Sequence, residues 1–189
     1  MTPDARLPAD SMRVLPGEYF ATNRDLAIVT VLGSCVAACL RDRKAGIGGM
    51  NHFMLPRGRG EASLASSSAR YGVHAMELLI NHLVRLGAQR RNLEAKVFGG
   101  GSVLEGATTL DVGESNAAFV SEFLRDESIP VVASDLRGTS SRKICYFPAT
   151  GRVLVRTIEK AGDIAGREAR YARQLSERPA RCGAVEMFR

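Results

Sequence analysis

The residues best suited to covalent chemistry lie in one short stretch, Gly33-Ser34-Cys35. The cysteine follows a continuous β-branched run, residues 26–32, and precedes a second apolar run from Val36 to Leu40. A tight Gly-Ser turn between such runs presents a side chain at the lip of a sheet. Its small neighbours leave room for a substrate backbone, and its N–H groups can stabilise an oxyanion. A free thiol has a pKa near ~8.5 and needs a base or a cationic neighbour to act as a thiolate at neutral pH. The chain has 3 histidines. His52 returns beside Cys35 if residues 36–41 and 47–54 pair as neighbouring strands. His74 and His82 fall on a helix, away from its apolar face, and read as surface or boundary residues. On these residues alone two readings stand. Cys35 is the nucleophile of a Cys-His dyad, or it is a buried small apolar side chain. His52 is its base, or a hydrogen-bonded histidine at a strand end.

Other constellations are weaker. Cys35 and Cys39 are separated by three residues, and no second close Cys/His pair completes a zinc site, so no metal is expected. Cys145 reads as core and Cys182 lies in the tail. Gly99-Gly100-Gly101-Ser102 lacks the Lys-Ser/Thr of a phosphate loop. Those glycines read instead as a tight loop near the site. No cofactor is expected.

The elements that must hold these residues follow from periodicity. Residues 26–32 suit a strand buried on both faces, and Gly46 to Leu55 reads as another, closed by Pro56. Residues 57–68 form a Gly-, Ser- and Arg-rich loop. A helix from about Arg70 to Leu86 carries Val73, Met76, Leu79, Ile80, Leu83 and Leu86 on one face. Glu94 to Phe98 is a short strand, Glu114 to Arg125 a second helix, and Ile129 to Ser134 a strand. Residues 142–147 and 152–158 form a hairpin. The mixture points to an α+β domain of layered mixed β-sheet flanked by helices. Residues 1–15 read as a flexible N-terminal arm and 16–158 as the domain. Residues 159–189 read as a charged, partly helical C-terminal extension with a thin apolar face.

The whole chain is consistent with one domain. It has 189 residues, 45% apolar and 24% charged, which is ordinary for a soluble globular protein. A chain this long buries enough surface to fold without staples, so disordered and disulfide-scaffold classes are excluded. The 4 cysteines are too scattered for a disulfide framework. Prolines and aspartates break the first twenty residues, and no run approaches the ~20 apolar residues of a membrane helix. A cytoplasmic location without membrane insertion is expected. The net charge of +6 invites a nucleic-acid reading. The excess is spread along the chain, however, and aromatics are only 6%, so base stacking has little support.

Ordered blocks along the chain then carry a resemblance. Pro16-Gly17-Glu18-Tyr19-Phe20, Leu32-Gly33-Ser34-Cys35-Val36 and Gly49-Met50-Asn51-His52-Phe53-Met54-Leu55-Pro56 resemble the CheD family of bacterial chemoreceptor glutamine deamidases. Arg70-Tyr71-Gly72, Ala95-Lys96-Val97-Phe98-Gly99-Gly100, Gly113-Glu114-Ser115-Asn116, Asp135 through Arg142 and Gly151-Arg152-Val153 agree with it. The match runs from about residue 14 to 158. The resemblance implies a Cys-His-Thr catalytic set, with Cys35 as nucleophile and His52 as general base and acid. Thr30, the nearest threonine, would orient His52; some members carry that threonine where this chain has Val29. Gly33, Ser34 and Tyr71 would bind the oxyanion or substrate. The implied fold is similar to cysteine-dependent deamidating toxins. The implied substrates are glutamines on the cytoplasmic helices of methyl-accepting chemotaxis receptors, with a CheC-type phosphatase as a further partner. A non-catalytic adaptor binding the same partners is the alternative.

Overall fold

A computed structural model of the chain describes residues 10–55, 67–102, 110–158 and 162–177. Nine strands are described: β1 (Ser11–Arg13), β2 (Tyr19–Thr22), β3 (Ala27–Leu32), β4 (Val36–Asp42), β5 (Ile47–Asn51), β6 (Leu93–Gly99), β7 (Val131–Leu136), β8 (Ser141–Phe147) and β9 (Arg152–Ile158). Three α-helices accompany them: α1 (Ser67–Arg85), α2 (Leu110–Asp126) and α3 (Gly162–Glu177). The strands form two mixed sheets, of order β1-β3-β8-β9 and β2-β5-β4-β6-β7. The architecture is α+β, as the sequence pattern indicates.

Strand alternation explains the layering. Along β4, Val36, Ala38 and Leu40 face one way and pack with Met76, Leu79 and Leu83 of α1 and Val120, Phe123 and Leu124 of α2. Ala37 and Cys39 face the other way and meet Ile28 and Leu32 of β3 and Ile144 and Tyr146 of β8. The central strand β4 is therefore buried on both faces and reads as a continuous apolar run, whereas β7 at the edge of the same sheet is exposed. Along β3 the alternation sends Ile28 and Leu32 inward and Ala27 and Val29 to the outer face, with Cys145. A residue two positions from either inward neighbour shares their face, which places Thr30 in the layer between the sheets.

Two stretches differ from the composition-based expectation. Residues 11–13, assigned to an irregular arm, pair in parallel with β3, in the register Ser11 to Ala27, Met12 to Ile28 and Arg13 to Val29. All three side chains are exposed, so the strand is held by backbone pairing and carries no apolar alternation to detect. Helix α3 is docked: Leu175 joins the inter-sheet core, with Tyr171 and Ala172 packed against it. Its apolar stripe is thin because a glutamate, Glu168, occupies the middle of the buried face, 2% exposed.

Candidate active site

The Gly33-Ser34-Cys35 turn is the crossing between the two sheets. Leu32 ends β3 in one sheet, and Val36 begins β4 in the other. The three carbonyls of the turn are tied down from outside. Gly101 N–H donates to Gly33 O at 2.8 Å and Gly100 N–H to Cys35 O at 2.7 Å. Asn116 of α2 donates to Ser34 O at 2.9 Å, while its own Oδ1 accepts the Leu55 N–H at 2.8 Å. Glycine is required at the residue that precedes the Gly100-Gly101 pair. Gly99 has φ +104°, and a Cβ there would lie 2.1 Å from Cys35 O. The glycine-rich loop thus braces the turn from behind.

His52 reaches the same place because β4 and β5 pair antiparallel and the chain continues one step beyond β5. There Phe53 N–H donates to Val36 O at 2.9 Å and Val36 N–H to Phe53 O at 3.0 Å. The His52 backbone is pinned on its other edge: its N–H donates to Glu18 O at 2.9 Å, and its carbonyl accepts Gly17 N–H at 2.7 Å. The Pro16–Phe20 block therefore serves as the rail on which the histidine sits.

Thr30 is hydrogen-bonded to the imidazole. Its hydroxyl donates to Val14 O at 2.7 Å and lies 2.8 Å from His52 Nδ1. With the hydroxyl proton committed to Val14, the threonine oxygen accepts, so Nδ1 carries the ring proton. Nε2 is left with a free lone pair, and among the described residues it has no hydrogen-bond partner. Burial holds the imidazole pKa down to about 4, against the opposing pull of the Glu168 charge, the Val14 carbonyl and the Glu18 charge. At neutral pH the ring is a neutral base.

The turn's N–H groups converge on one carboxylate. Glu168 Oε1 accepts from Gly33 N–H at 2.8 Å and Cys35 N–H at 3.2 Å. Oε2 accepts from Ser34 N–H at 2.7 Å and the Ser34 hydroxyl at 2.7 Å. Cys35 Sγ, a His52 ring nitrogen and a Glu168 oxygen all lie within 4.8 Å of one another. Cys35 is fully buried. Burial pushes its thiol pKa well up, and the Glu168 charge and its contact with the cysteine push it further. A Cys-His-Glu group of this size has the residue types of a metal site, but the donor set does not fit one. Four donors take the roughly four lone-pair positions of the carboxylate, and an array of N–H groups selects an anion over a cation.

The chain's similarity to known proteins fits this geometry. A family model described as CheD chemotactic sensory transduction matches residues 54–157. A protein of Methylobacillus flagellatus, "Probable chemoreceptor glutamine deamidase CheD", is 52% identical over 189 residues, covering 98% of this chain and 93% of its own. A relative with the same name from Janthinobacterium sp. (strain Marseille) is 53% identical over 98% of this chain and 92% of its own. Another from Ralstonia nicotianae is 54% identical over 92% and 75% respectively. The chain belongs to the CheD family. The family model begins two residues after His52, so the stretch carrying Cys35 and His52 is matched through the nearly full-length relatives.

Within this CheD-family site, Thr30, Gly33, Ser34, Cys35 and His52 come together. Tyr71 stands apart from the N–H array: its hydroxyl bonds that of Tyr171 on α3 at 2.7 Å, and it is not a donor to the Glu168 carboxylate. Cys39 and Cys145 are buried away from the site in β4 and β8, and Cys182 lies outside the described residues. Glu168 and Asn116 are the two site residues to which the sequence patterns assign no role. The signal for Glu168 was a charge flanked at helical spacing by Ile164, Tyr171, Ala172 and Leu175. The signal for Asn116, an amide amid the apolar stripe of α2, was fainter.

Proposed function

We propose that this chain is a protein-glutamine glutaminase that converts glutamine side chains of chemoreceptors to glutamate, with release of ammonia. The observation that carries the reading is the convergence of the Cys35 thiol, the neutral His52 ring and three backbone N–H groups on one small volume. Family membership supplies the substrate class.

The residues assign the steps. His52 Nε2, unprotonated through the Thr30 contact, takes the thiol proton, and Cys35 Sγ attacks the carboxamide carbon. The carbonyl oxygen becomes an oxyanion held by the N–H groups of Gly33, Ser34 and Cys35, which now bind the Glu168 carboxylate. Protonated His52 passes its proton to the departing nitrogen, and ammonia leaves a thioester on Cys35. Water activated by His52 hydrolyses the thioester to a carboxylate and restores the thiol. The same acyl chemistry would also cleave a glutamyl methyl ester. A cleft of about 390 Å³ opens beside the histidine, lined by Pro16, Thr30, His52, Lys143 and Glu168 among others.

On this reading the protein works in the cytoplasm, where the receptors' substrate helices lie. Among the described residues no helix is long and apolar enough to cross a membrane. A CheC-type phosphatase, implied by the family, belongs to the same reading and is tested by co-purification. The decisive experiment is mass spectrometry of receptor cytoplasmic fragments after incubation with the protein. The expected result is a gain of about one dalton per converted glutamine, as an NH2 is replaced by an OH through the thioester, absent with Cys35→Ala. Conversion that persists in Cys35→Ala would sink the mechanism. An inert thiol with no conversion would favour the adaptor alternative.

A further inference from the structure

The C-terminal helix has no role in the mechanism above, yet it puts a side chain into the centre of the site. We propose that α3 is an internal product mimic: Glu168 holds the place of the product glutamate, and α3 lies where the helix bearing a substrate glutamine docks. Deamidation then requires α3 to leave. The inference rests on the reading of Cys35 as a deamidase nucleophile and adds the regulation of that site and the shape of its ligand.

Three observations carry it. First, the Glu168 carboxylate takes all four donors of the turn, three of them the backbone N–H groups that would hold the oxyanion. It lies within 4.8 Å of the nucleophile and the base. A glutamate side chain is also the chemical product of the reaction, differing from the substrate by one atom group. Second, the group arrives on a helix fitted to its seat. Leu175 is buried in the inter-sheet core, and Tyr171 and Ala172 pack beside it. The Tyr171 hydroxyl meets Tyr71 and rests over Gly17, where a Cβ would come within 2.3 Å of it. A ligand helix is thus read at i, i+3, i+4 and i+7 from the reactive side chain. Third, the seat is narrow. Among the described side chains of α3 only Glu168 and Leu175 are buried, so the helix can leave without dismantling a sheet. While it stays, the site is doubly closed. The substrate position is filled, and the Glu168 charge, added to burial, keeps the Cys35 proton in place.

The test uses the full-length protein. Glu168→Gln places a carboxamide at the nucleophile and makes α3 a substrate in cis. Sγ attacks Cδ, the C–N bond breaks, ammonia leaves with the proton from His52, and water releases a carboxylate at position 168. Peptide mass spectrometry should show the introduced carboxamide converted back to a carboxylate, first order and independent of protein concentration, and unconverted when Cys35→Ala is added. In parallel, Glu168→Ala and Leu175→Ala should speed both Cys35 alkylation by iodoacetamide and conversion of a receptor fragment. The expected gain is about tenfold or more, since the competent fraction of the protein rises. Leu175→Ala loosens the helix without touching the site, so it separates displacement from local chemistry. If the introduced carboxamide persists and both alanine variants match the native protein while receptor glutamines are still converted, α3 is no mimic and the deamidase reading stands. If alkylation quickens in both alanine variants but no glutamine anywhere is converted, α3 does cover the thiol and the deamidase reading fails.

Discussion

At the scale of single residues, the site depends on which way one proton points. In the proposed mechanism Thr30 fixes the histidine tautomer, its own proton going to Val14. Thr30→Val keeps the shape and removes that acceptor, leaving Nδ1 and the Val14 carbonyl unpaired. We expect a stability loss of about 1–3 kcal/mol and a fall in kcat of roughly 10²-fold, the scale of general-base catalysis. Chemical denaturation and fragment turnover measure the two. Thr30→Ser should restore most of the rate, whereas a purely packing role for the threonine would leave serine as poor as valine. This part of the site was legible in the sequence. Gly-Ser-Cys after a buried strand and a single histidine after the next hairpin are local patterns, whereas the sequence left open which of Thr30 and Val29 faces the histidine; the packing turns Thr30 inward and Val29 outward. Glu168 was not legible, since its contact spans 133 to 135 residues and no local rule links a tail glutamate to a turn that far back.

At the scale of elements, the turn is shaped by what stands behind it. Gly99 closes β6 with φ +104°, in the region that disfavours a side chain. Its missing Cβ is what lets Cys35 O approach. Gly99→Ala should therefore cost well over ~2 kcal/mol, more than backbone strain alone. Activity should collapse with it, as denaturant titration and turnover would show; a variant of native stability and rate would refute this account of the loop. The elements themselves followed their periodicities closely. The α1, α2, β3 and β8 patterns were visible because each buries a continuous or alternating apolar face. The strand β1 was not visible, because its three residues are exposed and its parallel pairing to β3 is made by backbone groups that any sequence carries.

At the scale of the whole molecule, burial of the site is tied to pH and to composition. The His52 pKa lies at about 4 in the folded protein, against 6.5 for the free group. Between these values the unfolded chain binds a proton that the folded chain does not, so stability rises with pH across that window. It is fully present above about pH 6.5 and lost as the pH falls toward 4, by roughly 3 kcal/mol at about 1.4 kcal/mol per unit. Urea midpoints measured from about pH 7 down to about 4 should show this, and His52→Gln should flatten the slope. Asp42 is distinct: backbone N–H donors hold its carboxyl below 3.8 against the opposing effect of burial. Its stabilisation is lost only as the pH falls below that value. The N–H array around the thiol makes a second prediction at this scale. Prolonged treatment with EDTA should leave both the thermal midpoint and the turnover of receptor fragments unchanged. A loss restored by zinc would mean that the Cys-His-Glu group holds a cation after all.

The turn that crosses between the sheets has a consequence for how the protein is made. Cys35 and His52 leave the ribosome early, but the strand that backs Thr30, β8, is built from residues 141–147. The brace of Gly99, Gly100 and Asn116 is also translated long after the cysteine. Long-range pairing of this kind closes only once both partners exist. A chain halted before residue 141 therefore carries an ordinary thiol and an unsupported imidazole. The assembled site arrives only with β8, and α3, the next helix made, then brings Glu168 onto its N–H groups.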